Sequence, residues 1–180
     1  MPDVVVLYAS ISGRTRKVVE ELVKEFSPLS AVGYDLRDGF VDIEKSKLVV
    51  FGSPTYGVGE CHHLWEKHFA RFTELEFDWS SQPVAVFALG DVKHHPKSFA
   101  RAIVQLRDSV RQLNAELVGE VPVDETYNQV SCKPLLTDGK FPGLVLDQVK
   151  QRRLGSQRIQ KWVIQLRHEL ETIDASDTNG

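Results

Sequence analysis

Three segments of the chain set hydroxyl or ring side chains beside glycine in a way that suits ligand chemistry. The first is Ala9-Ser10-Ile11-Ser12-Gly13-Arg14-Thr15, with three hydroxyls around one glycine. A helix that starts in such a segment offers backbone N–H groups, and hydroxyls add neutral donors, so the two together cradle a phosphate. The segment lacks the Gly-Lys-Ser/Thr ending of a nucleotide-hydrolysing P-loop and the three glycines of the dinucleotide fingerprint. By itself it reads equally well as a Ser or Thr helix cap with no ligand. The second is Gly52-Ser53-Pro54-Thr55-Tyr56-Gly57-Val58-Gly59-Glu60, and the third is Leu89-Gly90-Asp91-Val92-Lys93-His94-His95-Pro96. Each places one ring, Tyr56 or His95, beside glycines that let backbone approach a ligand closely. Two such loops can clamp a planar molecule. Taken singly, Tyr56 is an ordinary loop tyrosine, and His94 and His95 are a solvated pair.

Each segment follows an apolar run, at 4–8, 48–51 and 83–88. Runs of this kind, rich in β-branched residues, predict strands buried on both faces. Weaker strands are predicted at 31–36, 116–123 and 143–146. Apolar residues at helical spacing predict helices over 15–26, 64–72, 98–113 and 156–170, the last with Ser156 as N-cap. Strands alternating with helices predict an α/β fold, a doubly wound five-stranded parallel sheet with helices on both faces. In such a fold ligands sit beyond the carboxyl ends of the strands, which is where the three segments lie.

Composition narrows the function. A chain of 180 residues, 42% apolar and 26% charged, is one globular domain and not two. Its net charge of −3 argues against nucleic acid held by its phosphates. No apolar run is long enough to span a membrane, and the amino end lacks a basic signal-peptide region. Cys61 and Cys132 are read as reduced thiols of a cytoplasmic protein.

The three loops, in this order and spacing, resemble those of the flavodoxin family. Ser10-x-Ser12-Gly13-x-Thr15 is similar to its FMN phosphate loop. Ser53-Pro54-Thr55-Tyr56-Gly57-Val58-Gly59-Glu60 is similar to its Pro-Thr-aromatic-x-x-Gly-Glu loop. Leu89-Gly90-Asp91 followed by Phe99 is similar to its Gly-Asp loop and the helix after it. The likeness continues through Trp65-Glu66, Gly139-Lys140-Phe141-x-Gly143-Leu144-x-Leu146-Asp147 and Arg158-Ile159-x-x-Trp162-Val163-x-Gln165-Leu166. It covers residues 3–170, leaving 171–180 as a polar, disordered tail. Residues 124–142 interrupt the fifth strand, as in the long-chain branch.

The resemblance implies a low-potential one-electron carrier that holds FMN, with no catalytic residue and no metal. The implied FMN contacts are Ser10, Ile11, Ser12, Gly13, Arg14 and Thr15 in the first loop, with Arg14 turned outward. In the second they are Pro54, Thr55, Tyr56, Gly57, Val58 and Gly59. Leu89, Gly90, Asp91, His95, Ser98 and Phe99 follow in the third, and Asp147 at the ribityl chain. The implied partners are a flavodoxin reductase and acceptor enzymes in transient complexes, with the chain itself a monomer and neither nucleic acid nor membrane involved. The alternative on the same fold is an FMN-dependent NAD(P)H:quinone or azo reductase. A cofactor-free response-regulator domain needs an acidic pair after the first strand, where this chain has Ser10-Ile11-Ser12.

The sequence departs from the family pattern at four places. Tyr56 stands where Trp is frequent, His95 where a stacking Tyr is usual, and Ser98 where long-chain members have Asn. The charge is near neutral where the family is strongly acidic. Lys93, Lys97 and Arg101 are predicted to form a stripe at i, i+4 and i+8 of a helix, read as a solvated face. Cys61-His62-His63 with His68 matches no zinc spacing.

Overall fold

β-Branched and apolar residues at every position of Val4–Tyr8 (β1) leave no solvent face, so this strand needs cover on both sides. The computed structural model, which describes residues 2–40, 43 and 45–177, provides it. In chain order the elements begin β1, Arg14–Glu25 (α1), Ala31–Asp35 (β2), Leu48–Pro54 (β3), Leu64–Glu74 (α2), Pro83–Gly90 (β4) and Ala102–Gln112 (α3). They continue with Glu116–Val118 (β5), Val121–Pro122 (β6), Gln129–Cys132 (α4), Lys140–Phe141 (β7), Leu144–Asp147 (β8) and Arg152–Asp177 (α5).

The main sheet is parallel, in the order β2-β1-β3-β4-β5, with β8 also paired to β4. Alternate strand residues point to opposite faces. Val5, Leu7, Phe51 and Val86 pack with Trp65, Phe72, Ile103 and Leu106 of α2 and α3. Val4, Val6, Val50 and Phe87 pack with Val18 and Leu22 of α1 and with Ile159, Trp162 and Leu166 of α5. The predicted doubly wound architecture is therefore present.

The fifth strand position is shared by two pieces of chain. β5 pairs with Pro83–Ala85 and β8 with Phe87–Gly90, leaving Val86 at the join. Gly143 enters there, where an added methyl group would stand 1.9 Å from the Val86 carbonyl oxygen. Only glycine allows the returning chain to rejoin the sheet so closely.

Several element boundaries differ from expectation. The strand predicted over 116–123 ends at Val118, because Gly119 turns at φ +78°. Its carbonyl accepts Trp162 Nε1 at 2.7 Å, and the chain leaves for the small antiparallel β6–β7 pair. The interruption thus starts earlier than residue 124. The helix predicted from Ser98 starts at Ala102, since Ala100 sits in the left-handed region at φ +49°. Lys93, Lys97 and Arg101 therefore lie on turns and not on a helix face. α5 starts at Arg152, which puts Ser156 inside the helix and not at its cap.

α5 also continues to Asp177, where a disordered tail was expected after Leu170. Ile173 packs against the core, and Asp174 lies 3.9 Å from Lys47. Residues 178–180 of that predicted tail lie outside the described residues. No helix among the described residues is long and apolar enough to cross a membrane.

Candidate functional site

The loops after β1, β3 and β4 meet at the carboxyl edge of the sheet. Two inter-strand bonds hold them together: Ala9 N–H donates to the Gly52 carbonyl at 3.2 Å and Thr55 N–H to the Leu89 carbonyl at 3.1 Å.

In the first loop Gly13 caps α1 at φ +80°, with no side-chain capping bond. A Ser or Thr cap is therefore not made, and the first-turn N–H groups are left for another acceptor. Ser10 and Thr15 are both buried. The Ser10 hydroxyl has no hydrogen-bond partner among the described residues. A buried hydroxyl without a partner costs about 1–3 kcal/mol, so its retention points to something that completes it. Arg16, two residues into the helix, turns to Asp35 at 3.5 Å. Burial raises the Asp35 pKa, but the Arg37 and Arg16 guanidiniums outweigh it and hold the carboxyl below its usual range.

The second loop is a tight turn. Tyr56 N–H donates to the Glu60 carbonyl, and the Tyr56 carbonyl accepts the N–H groups of Gly59 and Glu60, all within 2.8–2.9 Å. Gly57 takes φ +50°, which a β-branched residue resists. Tyr56 packs edge-on against the buried His62 at 5.6 Å between ring centres. His62 Nδ1 accepts the Leu64 N–H at 3.2 Å, and burial together with His63 lowers its pKa.

The third loop is built on Asp91. Its carboxylate accepts the N–H groups of Lys93 and His94, each at 3.1 Å, and His94 Nδ1 at 2.6 Å. Burial raises the Asp91 pKa, and these bonds more than reverse it, leaving it lowered.

Between the loops lies a cleft of about 270 Å3. From the first loop Ile11, Ser12, Arg14 and Thr15 line it, Arg14 facing the cleft where it was expected to turn outward. From the second come Pro54, Thr55, Tyr56 and Gly57. The third contributes Leu89, Gly90, Asp91, His95, Ser98 and Phe99. His95, not His94, is thus the histidine at the cleft.

Five expected contacts lie off its surface. Ser10 is buried in the first loop, Gly13 is the helix cap, Val58 is exposed on the second turn, and Gly59 is buried against the Arg101 stem. Asp147 lines instead a neighbouring cavity of about 250 Å3 that shares Phe99 with the cleft. Its Oδ1 accepts the Val149 and Lys150 N–H groups, while its buried Oδ2 has no partner. Two lining residues escape the sequence reading, Ala100 and Gln148. Gln148 directly follows β8, so strand ends alone would have found it. Nothing in the sequence signals the left-handed Ala100.

The Cys61, His62, His63 and His68 side chains have other employment. Cys61 Sγ donates to the Ala102 carbonyl, and burial pushes its thiol up to about 12. His63 stacks on His62, and His68 Nε2 donates to the Leu36 carbonyl at 3.0 Å. Among the described residues no group of three or more His, Cys, Asp or Glu is placed to hold a metal ion.

Comparison with known proteins agrees with this geometry. The flavodoxin family model matches residues 6–136. A flavodoxin of Haemophilus influenzae is 32% identical, over 94% of this chain and 97% of that one. Flavodoxin 1 of Azotobacter vinelandii is 30% identical, over 94% of this chain and 98% of that one. The crystal structure of Fusobacterium nucleatum flavodoxin bound to flavin mononucleotide superposes with a TM-score of 0.80 at 26% identity, covering 94% of this chain and 99% of that one. With a phosphate-type loop, two ring-bearing loops and a strand order of the kind for which flavodoxin is the standard example, the chain belongs to the flavodoxin family.

Proposed function

We propose that this chain holds one FMN in the cleft and works as a low-potential one-electron carrier. The observation that carries the reading is the buried, unpartnered Ser10 hydroxyl in a loop whose helix start is uncapped. Such a loop has donors to spare and no lysine, which suits a compact dianion bound by neutral groups. Relatives at 30–32% identity over nearly their whole length are flavodoxins, which supports the same reading.

When bound, FMN supplies electron transfer one electron at a time. Ser10, Ser12, Thr15 and the first-turn N–H groups hold its phosphate, and Arg14 adds a positive charge at the same end. Tyr56 and His95 cover the ring and keep water from it. Asp91, held as a carboxylate by His94 and two backbone N–H groups, disfavours added negative charge nearby and so lowers the potential. The chain itself need supply no acid, nucleophile or metal; a reductase on the same fold would need in addition a docking surface for nicotinamide beside the flavin. Both cysteines are free, in keeping with the reducing cytoplasm. Its partners in this reading are a flavodoxin reductase and acceptor enzymes, met in transient complexes.

The test is a titration of the apoprotein with FMN and with riboflavin, followed by stepwise reduction of the holoprotein in visible light. FMN is expected to bind far more tightly, and the spectrum to pass through a long-lived one-electron stage. Equal binding of riboflavin overturns the phosphate cradle. Reduction in a single two-electron step favours the NAD(P)H-dependent reductase instead.

A further inference from the structure

The charge of this molecule is unevenly placed. The loops that follow β1, β3, β4 and β8, taken with the opening residues of α1 and α5, comprise residues 9–17, 55–63, 91–101 and 148–153. Of the 22 Lys and Arg in the chain, nine fall in these segments, four in the loops themselves and five in the first turns of α1 and α5; all nine are exposed, and of them Arg16 pairs with Asp35. Of the 25 Asp and Glu, only Glu60 and Asp91 fall there. Asp91 is engaged by His94, and Glu60 lies back against its own turn, with Oε2 3.1 Å from where a Gly57 methyl group would be. The rest of the chain is therefore strongly acidic, and the cleft edge is the positive pole of a molecule with net charge −3.

The cations ring the cleft. Arg14 lines it from one side. Lys93, Lys97 and Arg101 stand on the turns of the opposite wall, and Lys150 borders the adjoining cavity. The Arg101 stem crosses to the second loop, where a methyl group on Gly59 would meet its Cβ at 2.7 Å. Arg14 is the one whose charge the FMN phosphate would take up; Lys93, Lys97, Arg101 and Lys150 have no ion-pair partner among the described residues.

Resting on the carrier reading above, we propose that this cationic rim is the docking surface, and that it fits a redox partner whose own electron-exchanging face is acidic. Charge of one sign around a cleft steers an oppositely charged partner and orients it before contact. The molecular dipole strengthens that selection, because the acidic remainder repels an acidic partner from every other side. The net charge of the chain, taken as a whole, dictates the reverse preference. Near the cleft the local field dominates, because screening at ordinary ionic strength limits each charge to about 8–10 Å.

The experiment uses reduced holoprotein and outer-sphere probes of opposite charge. One electron passes from the reduced flavin to hexacyanoferrate(III) or hexaammineruthenium(III), giving the iron(II) or ruthenium(II) ion with no bond made or broken in the protein. The rate with hexacyanoferrate(III) is expected to fall about three- to tenfold as salt rises from about 0.01 to about 0.15 M, which shortens the Debye length from about 30 to about 8 Å. The rate with hexaammineruthenium(III) should rise, as should that with a basic c-type cytochrome. Lys93→Glu with Lys97→Glu should reverse these slopes and leave FMN affinity unchanged. Flat slopes, or slopes of the sign that net charge −3 dictates, overturn the proposal while the carrier reading stands. Retention of duplex DNA at about 0.15 M salt overturns it by assigning the rim to nucleic acid. A chain that takes up no FMN overturns both.

Discussion

His94 Nδ1 donates to the Asp91 carboxylate at 2.6 Å, so the two adjacent histidines of the third loop have different environments. The first is fastened to the loop's own turn. The second, His95, is left to line the cleft. The bond also keeps the Asp91 carboxylate ionised and fixes where its charge sits. A loop that looks from its composition like a solvated tail of polar residues is thus a folded wall of the site.

His95→Tyr should tighten FMN binding, since a phenol ring covers more of a flavin than an imidazole does. The expected gain is roughly 0.5–1.5 kcal/mol, or about two- to tenfold in dissociation constant. Fluorescence titration of the two apoproteins measures it. Identical constants would take His95 off the flavin face.

Ser10→Ala separates a binding role from a structural one. The hydroxyl is buried and has no protein partner among the described residues, so its loss should leave the thermal midpoint of the apoprotein unchanged or slightly higher. FMN affinity should fall by about 1.5–3 kcal/mol, the worth of a hydrogen bond to a charged group. Riboflavin affinity should not move. A loss of apoprotein stability with unchanged FMN binding contradicts the assignment.

The Gly57–Val58 peptide stands at the turn of the second loop, with Gly57 at φ +50° and Val58 75% exposed. A glycine there would let this peptide turn over at little cost and offer its carbonyl to a bound flavin. Gly57→Val should remove that freedom and lower the maximum yield of one-electron-reduced flavin in photoreduction. An unchanged yield from a folded variant removes this peptide from the mechanism.

Acid should unfold the protein in two stages. Burial lowers the pKa of both His62 and His68. The unfolded chain therefore binds protons that the folded one refuses, and stability should fall as pH drops below about 6.5. Asp35 has a depressed pKa as well, so its contribution is present above the ordinary carboxylate value of about 3.9 and lost as pH falls through its folded value. Urea midpoints of the apoprotein between about pH 8 and pH 3 should show both falls. His68→Gln should remove part of the first, because amide and imidazole alike can donate to the Leu36 carbonyl but only imidazole titrates.

The order of the elements and the identity of the three loops are legible in the chain because both rest on local pattern. Val4–Tyr8, Leu48–Pro54 and Pro83–Gly90 declare themselves by runs of buried-type residues, and each loop is found simply by reading on from a strand end. Ser12, Thr15, Tyr56, Gly90 and His95 reach the cleft from those loops, as their spacing predicts. Contacts between distant segments decided the rest. Ala100 adopts a left-handed backbone between Phe99 and α3, which delays the helix and leaves Lys93, Lys97 and Arg101 on turns. Gly143 brings β8 back beside β4, and so makes Gln148, not Asp147, the lining residue at that end. Ile173, at the far end of the chain from β1, packs into the same core and extends α5 beyond the point where its own polar sequence would fray. Likewise, summed charge is a property of composition, whereas its separation into a cationic edge and an acidic body exists only once parallel strands deliver their following loops to one side.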